Sequence, residues 1–352
     1  MRALPHPNLR RGVTIVKPVY GLEPQLEENL RSFCAQNHPG VQVLFGVQRA
    51  NDPAIPTIER VIAAMPERDC RLIVDETVRS GNPKMANVAS MLPYARYDIL
   101  AISDADMRVD ERYAGIIASA FDDERVGAAT CLYAGVPAES NAPSLLAAMH
   151  IDQVFAPSVL VATMFGPPRF CFGSTMAVRR DVFAAIGGID ALAGHLADDY
   201  TLGRLVSEAG YRVELSRYVV QNVVHERDAR SVFAHELRWA RTIRMVQPAG
   251  YAFSFVTYAL PFSALYFMVA PGLPSLTLFI YVAALRWCVH ASSRAALHND
   301  RTTRGWLLPV RDVMSLAVWL WSLFGRTVKW RERQSTVAKD GTITVSGASQ
   351  PP

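Results

Sequence analysis

Short apolar, β-branched runs alternate with amphipathic stretches through the first two thirds of the chain. Gly12–Val16, Val41–Val47, Cys70–Val74 and Ile99–Ile102 have the length and composition of buried strands. Between them, Leu22–Gln36 places Leu26, Leu30 and Phe33 at helical spacing. Thr57–Met65 reads as a second helix, and the polar loop Arg79–Asn87 leads into a third that runs through Met91. Further on, the pattern predicts a helix over Glu111–Phe121, a strand over Gly127–Tyr133 and a long, mostly apolar helix over Leu145–Leu160. A strand over Phe170–Val178 follows, with Gly173 and Ser174 in its middle, where glycine marks close approach of a ligand or another backbone. Helices over Arg180–Gly188 and Asp198–Val206 and a strand over Tyr211–Leu215 complete this part. The rhythm predicts βαβ units and a doubly wound, mostly parallel α/β sheet.

After Phe233 the pattern changes. His235–Arg244 is basic, aromatic and helical in spacing, with Arg238, Arg241 and Arg244 on one face. Tyr251–Ala270 carries no charge and is long enough to span a bilayer. After the turn Pro271–Pro274, Ser275–Val289 is apolar except for Arg286. The arginine-rich loop to Arg304 and the uncharged turn predict a hairpin (251–290) with both ends in the cytoplasm. Trp306–Phe324 is apolar but contains Arg311 and Asp312, with Arg301 and Arg304 before it and Arg326, Lys329, Arg331 and Arg333 after it. An interfacial or re-entrant helix over 306–325 tolerates that Arg–Asp pair better than a full crossing. From Gln334 the chain is polar, and 334–352 is expected to be a disordered tail.

Composition agrees with this division. Of 352 residues half are hydrophobic, and the excess lies after about Tyr251. The net charge of +4 is modest, and its basic residues cluster near the C-terminal apolar segments. That favours an anionic lipid surface over nucleic acid. Five scattered cysteines, never as Cys-x-x-Cys, argue for a reducing compartment and against a disulfide scaffold or zinc site. Met1–Pro7 has no apolar core, so no signal peptide is expected.

The candidate chemistry begins at Ser103-Asp104-Ala105-Asp106, where the run Ile99–Ile102 breaks. Two carboxylates at the end of a buried strand are costly without a cation, and a divalent metal carrying a nucleotide diphosphate suits them, because hard cations share carboxylate and phosphate oxygens. An acidic turn capping the next helix is the plainer alternative. Asp52 reads equally as the cap of a helix starting at Pro53. Asp198 and Asp199 read as helix-start acids, Lys84 as a solvated lysine, and Arg238 with Trp239 as an interfacial anchor. No Gly-x-Gly-x-x-Gly follows the first strand, which disfavours a dinucleotide site.

In order and spacing these residues resemble the ceramide glucosyltransferase family, family 21 of the inverting glycosyltransferases, over almost the whole chain. Val13–Pro24 is similar to that family's opening strand and loop, and Asn51–Ile55 to its first aspartate motif. Gly81–Asn87 resembles its Asn-Pro-Lys-x-x-Asn loop, Ser103–Asp104 its second aspartate, Ala197–Tyr200 its third, and His235–Trp239 its Arg-Trp motif. The departures are His235 where the family has Gln or Arg, Asp106, which makes a true Asp-x-Asp, and a first strand that opens where the family's N-terminal transmembrane helix is expected, read either as a hairpin sufficing for anchorage or as a late start. They point to a bacterial branch whose acceptor is a ceramide or a hopanoid.

The resemblance implies a GT-A-type catalytic domain over 1–232, a basic interfacial segment over 233–250, and C-terminal membrane-associated helices. It implies a UDP-sugar donor, a membrane lipid acceptor, and Mg2+ or Mn2+ on Asp104 and Asp106. Asp52, Lys84, Asp104, Arg238 and Trp239 would then bind the nucleotide sugar, and Asp199 would be the base that takes the acceptor's proton. The catalytic domain would sit on the cytoplasmic face of a bacterial inner membrane. A polysaccharide synthase would want more membrane helices than one hairpin. A scaffold without catalysis would not need every acidic position, and a nucleotidyltransferase would want a Gly-rich basic loop after its first strand.

Overall fold

The computed structural model describes residues 4–77, 81–299, 304–325, 327–330, 333–337 and 343–345. It divides into two compact units, Met1–Tyr133 with Leu160–Val223, and Ala134–Val159 with Val224–Pro352. Arg301, Arg326 and Arg331, read above as basic flanks, lie outside the described residues.

The first unit is built on a mixed sheet of β1 (Val13–Pro18), β2 (Val41–Val47), β3 (Asp69–Val74), β4 (Ile99–Ile102), β5 (Met107–Arg108), β6 (Val126–Pro137), β7 (Met176–Arg179) and β8 (Arg212–Val224). The spatial order is β3-β2-β1-β4-β7-β6-β8-β5. The block β3-β2-β1-β4 is parallel, in register through Val13↔Val41 and Val13↔Ile99. β7 joins antiparallel through Ala101↔Ala177, and β5 pairs antiparallel with β8 through Met107↔Asn222.

The near-continuous apolar runs of β1, β2 and β4 reflect burial on both faces. Ile15, Val43 and Phe45 pack with Leu30, Phe33 and Ile58 from the helices Leu26–Cys34 and Ile55–Ala63. Their neighbours Val16 and Leu44, with Leu100 and Ile102, turn to the other face and meet Met85, Val88 and Met91 of the helix Pro83–Met91. The two-residue period of the strand thus sends alternate side chains into two separate cores. β1 lies between β2 and β4, so the chain winds outward from it in both directions. The crevice beyond the carboxyl ends of such strands is where an open α/β sheet receives ligands.

Two strand assignments change. Phe170–Thr175, expected as strand, is a turn stitched by a Phe172↔Thr175 bridge, and only Met176–Arg179 pairs in the sheet. The final strand extends to Val224 instead of ending at Leu215.

The second unit is largely helical. The helix begun at Ala142 runs to Met164 through a π-helical turn, Ile151–Phe155. That turn carries Asp152, whose carboxylate accepts from Gly135 N (2.8 Å) and Asn299 Nδ2 (2.7 Å). The helix Leu273–Leu297, 25 residues, is long and apolar enough to cross a membrane. The run Tyr251–Ala270, expected as one span, is instead broken. Pro248–Thr257 and Ala259–Val269 meet at a bend of 51°. Pro261 accounts for the break, because its ring excludes a helical carbonyl four residues earlier, at Thr257.

Arg311 and Asp312, the charges that interrupt the helix Leu308–Ser322, each find a partner on another helix. Arg311 is fully buried and forks onto Glu236 at 2.6 and 2.5 Å, while Asp312 receives Arg286 at 2.7 and 2.9 Å. The charges that interrupt the apolar runs are therefore satisfied helix to helix. Within the stretch expected to be a disordered tail, Arg333–Val337 pairs with Thr327–Trp330 and Ile343–Val345 as a small antiparallel sheet. The β-branched Thr336, Val337, Ile343 and Val345 favour strand there, and 338–342 and 346–352 lie outside the described residues.

Candidate active site

Three of the residues singled out in the first unit follow the carboxyl ends of its parallel strands, and Asp199 opens the helix Asp198–Glu208. Asp52 comes after β2, Lys84 after β3 and Asp104 after β4. Gly81–Asn87 shows how the local sequence builds this. Gly81 adopts φ +91°, and a Cβ there would stand 2.2 Å from Ala193 O, so only glycine fits. Asn82 caps the helix, its Oδ1 accepting from Lys84 N at 2.9 Å, and Pro83 occupies the first helical position, where no amide is needed. Asn87 donates to Gly46 O at 2.8 Å and Val19 O at 3.3 Å, fastening the helix to β2 and to the loop after β1.

Lys84 is thereby aimed into a group of carboxylates. Its Nζ lies 2.7 Å from Asp104 Oδ1 and 3.2 Å from Asp198 Oδ2. Burial works against its charge, but Asp104, Asp198 and Asp199 outweigh it and hold the ammonium well above the usual lysine range. Asp198 is buried and also takes Asn82 Nδ2 at 3.1 Å. Asp199, partly open to solvent, accepts from Gly173 N at 3.0 Å and Tyr200 N at 2.7 Å. Burial first, and then the adjacent Asp198 charge, push its carboxyl up to about 6, with Lys84 pulling the other way. A carboxylate poised there suits a general base near neutral pH.

Gly173 is the pivot of the group. A Cβ on it would stand 2.5 Å from Asp104 Oδ2 and 3.4 Å from Lys84 Nζ. The glycine in an apparent strand was therefore the legible sign of a close approach, although the approach is made in a turn.

Asp106 is the more enclosed member of the Asp-x-Asp turn. Its Oδ2 accepts from Asn222 Nδ2 at 2.9 Å, and its Oδ1 is buried with no hydrogen-bond partner. Burial and the Asp104 charge raise its carboxyl, against Asn222 and Lys17. Among the described residues no three His, Cys, Asp or Glu side chains form a metal cage of their own. The donor set does fit a hard cation that arrives with a diphosphate, which takes one or two carboxylates and draws its other oxygens from phosphate and water.

Lys17, not singled out from the sequence, lies fully buried beneath the turn. Its Nζ donates to Asp104 O and approaches Ser103 Oγ at 3.4 Å, over the face of Phe33. Burial draws it down to about 7, against Asp106 and Asp104. No pattern would separate this lysine from a solvated one, because its place depends on β1 and β4 being neighbours.

Asp52 stands apart from this group. It is buried, and its carboxylate accepts from Gly21 N (3.0 and 3.2 Å) and Ala54 N (2.9 Å). The helix after it begins at Ile55 without a side-chain cap, so Asp52 ties the loop after β1 to the end of β2. Arg238 and Trp239 belong to the second unit, on the helix Ala229–Val246. There the Trp239 ring meets His235 edge-on at 4.6 Å and His150 at 6.0 Å, and His235 Nδ1 bonds Glu226 at 2.8 Å.

The mixed sheet with an acidic turn closing β4 is a GT-A-like α/β fold. A mannosyltransferase from Pyrobaculum calidifontis, solved with GDP-mannose and Mn2+, superposes with a TM-score of 0.56 at 19% identity, over 90% of this chain and 89% of that one. At that identity the likeness establishes the fold alone. The chain belongs to glycosyl transferase family 21, whose description matches residues 2–343. It is 37% identical to a ceramide glucosyltransferase of Candida albicans over 108 residues, 27% of this chain and 20% of that protein. It is 25% identical to ceramide glucosyltransferase 3 of Caenorhabditis elegans over 224 residues, 59% of this chain and 45% of that protein. The chain thus spans less than half the length of these relatives.

Proposed function

We propose that this protein is a membrane-bound inverting glycosyltransferase that moves a hexose, glucose in the first instance, from a UDP-sugar to the hydroxyl of a membrane lipid such as ceramide. The observation that carries the reading is the junction of Lys84, Asp104 and Asp199 around Gly173 at the carboxyl end of β4. Family membership and the names of the relatives support it, and a hopanoid is the alternative acceptor.

In this reading Asp104 and Asp106 would hold Mg2+ or Mn2+, which would supply positive charge against that of the diphosphate leaving group. Lys84 neutralises the same region and keeps Asp104 oriented. Asp52 accepts from the nucleoside. Arg238 and Trp239 are assigned to the diphosphate on the motif alone. Asp199 takes the proton from the acceptor hydroxyl as its oxygen attacks the anomeric carbon. The single displacement, with no covalent sugar–enzyme intermediate, inverts that carbon. A lipid acceptor requires the site to work at a bilayer surface, which the basic and aromatic segment 233–250 suits. We place the catalytic domain on the cytoplasmic side of a bacterial inner membrane.

The test incubates membranes containing the protein with a panel of UDP-sugars and a lipid extract, and reads glycolipids by mass spectrometry. A product heavier by one hexose is expected with one donor, lost on EDTA treatment and restored by Mg2+ or Mn2+. Absence of product with every donor, together with no UDP binding, would overturn the reading, and full activity after chelation would remove the metal from it.

A further inference from the structure

The helix Ala142–Met164 has the length and apolarity of a membrane span, yet just over half of its apolar window is buried within the protein. Its C-terminal end emerges from that packing bare. Met164 is 81% and Phe165 87% exposed, with Val161 exposed one turn earlier. Isolated exposed apolar residues are ordinary, but two large ones at the tip of one helix are not. After Gly166 and two prolines, the chain reaches a row of aromatic rings. Phe170 meets Phe172 at 5.4 Å between centroids, and Phe172 meets Tyr133 at 6.3 Å. The next residue is Gly173, whose amide holds Asp199. The chain therefore leads from an exposed apolar tip, past Gly166–Arg169, to an aromatic cluster beside a carboxylate able to receive a hydroxyl proton. A ligand that matches both ends is an amphiphile with a long hydrocarbon part and an alcohol head.

We propose that Val161–Phe172 is the acceptor-loading segment, in which Met164 and Phe165 enter the lipid layer and Phe170, Phe172 and Tyr133 hold the acceptor's hydrocarbon chain while its hydroxyl reaches Asp199. This rests on the transfer reading above and deepens it by assigning the acceptor side, which nothing in the donor-side cluster specifies. A second copy of the chain could cover the tip, but would give no role to an aromatic row that ends on Asp199.

The full chain is reconstituted into phosphatidylcholine–phosphatidylglycerol vesicles doped with a ceramide carrying a diazirine in its acyl chain. After irradiation and digestion, adducts are mapped by mass spectrometry, and UDP binding is followed in parallel by calorimetry. Adducts are expected on Val161–Phe172. The double variant Met164→Ser/Phe165→Ser, whose side chains are already in solvent, and the variant Phe172→Ala should each lower them about fivefold, as expected for loss of an aromatic contact, with UDP binding retained. Adducts confined to Leu273–Leu297 would overturn the proposal, as would chain-to-chain cross-links through the tip. So would labelling of the tip that never reaches Phe170–Phe172, which would make the segment a bilayer anchor only. Failure of the wild type to bind UDP would strike the transfer reading instead, and the adduct map would still decide the role of this segment.

Discussion

At the scale of single residues, Asp199 and Gly173 carry most of the proposed chemistry. As the proposed base, Asp199 would act only when ionised, and its carboxyl is raised to about 6. Turnover should therefore fall roughly tenfold per pH unit below that value, as for any single essential base, and level off above it. The profile of kcat/KM against pH checks this, and a profile flat down to pH 5 would exclude Asp199 as the base. Asp199→Asn can still accept the Gly173 amide, so nucleotide binding should persist while kcat drops by about 10²–10⁴. Gly173→Ala acts differently. Its methyl group has no room beside Asp104 Oδ2, and the shift it forces should weaken UDP binding and cost about 1–3 kcal/mol of stability, read by calorimetry and thermal unfolding. The sequence pointed to Asp104, Lys84 and Asp199 through motif order, Asp104 just past a strand end and Lys84 and Asp199 at helix starts. It pointed only obliquely to Asp198 as a partner of Lys84, and not at all to Lys17 or Asn222. Those contacts are made between segments far apart in the chain.

The elements show the same divide. Period-two and helical spacings located β1 to β4 and the helices between them, since burial on both faces writes long apolar runs into the chain. They misassigned Phe170–Thr175, because an apolar stretch beside a crowded turn has the composition of a strand. In the second unit, charges within apolar helices were legible as anomalies, but their partners were not. Arg311 lies with Glu236 from a helix some 75 positions earlier, and His150 approaches the same carboxylate at 3.5 Å. Removing one member of a buried pair strands the other, so Arg311→Met should lower stability by about 3–5 kcal/mol. Replacing both in Glu236→Leu/Arg311→Met should recover most of that loss, because no charge is then left buried. Midpoints of thermal unfolding in detergent measure both, and a double variant no more stable than the single one would argue against this account of the pair.

At the scale of the whole molecule, the helix Leu273–Leu297 and the bent pair before it predict an integral membrane protein. Alkaline carbonate washing should leave the chain in the membrane pellet, and its release into the supernatant would contradict the spanning reading. Sequence alone determined the α/β class and the order of the acidic and basic motifs. It could do so because burial is imprinted as periodicity and the motifs sit at strand ends, helix starts and one basic helix. Tertiary structure decided what the turn Ser103–Asp106 faces: Lys17 beneath it, Lys84 and Gly173 against Asp104, Asn222 on Asp106, and an aromatic row leading to Asp199. Those neighbours come from β1, β8, the start of the helix Pro83–Met91 and the turn Phe170–Thr175, and the sheet order β1-β4-β7-β6-β8-β5 brings them within a few ångströms.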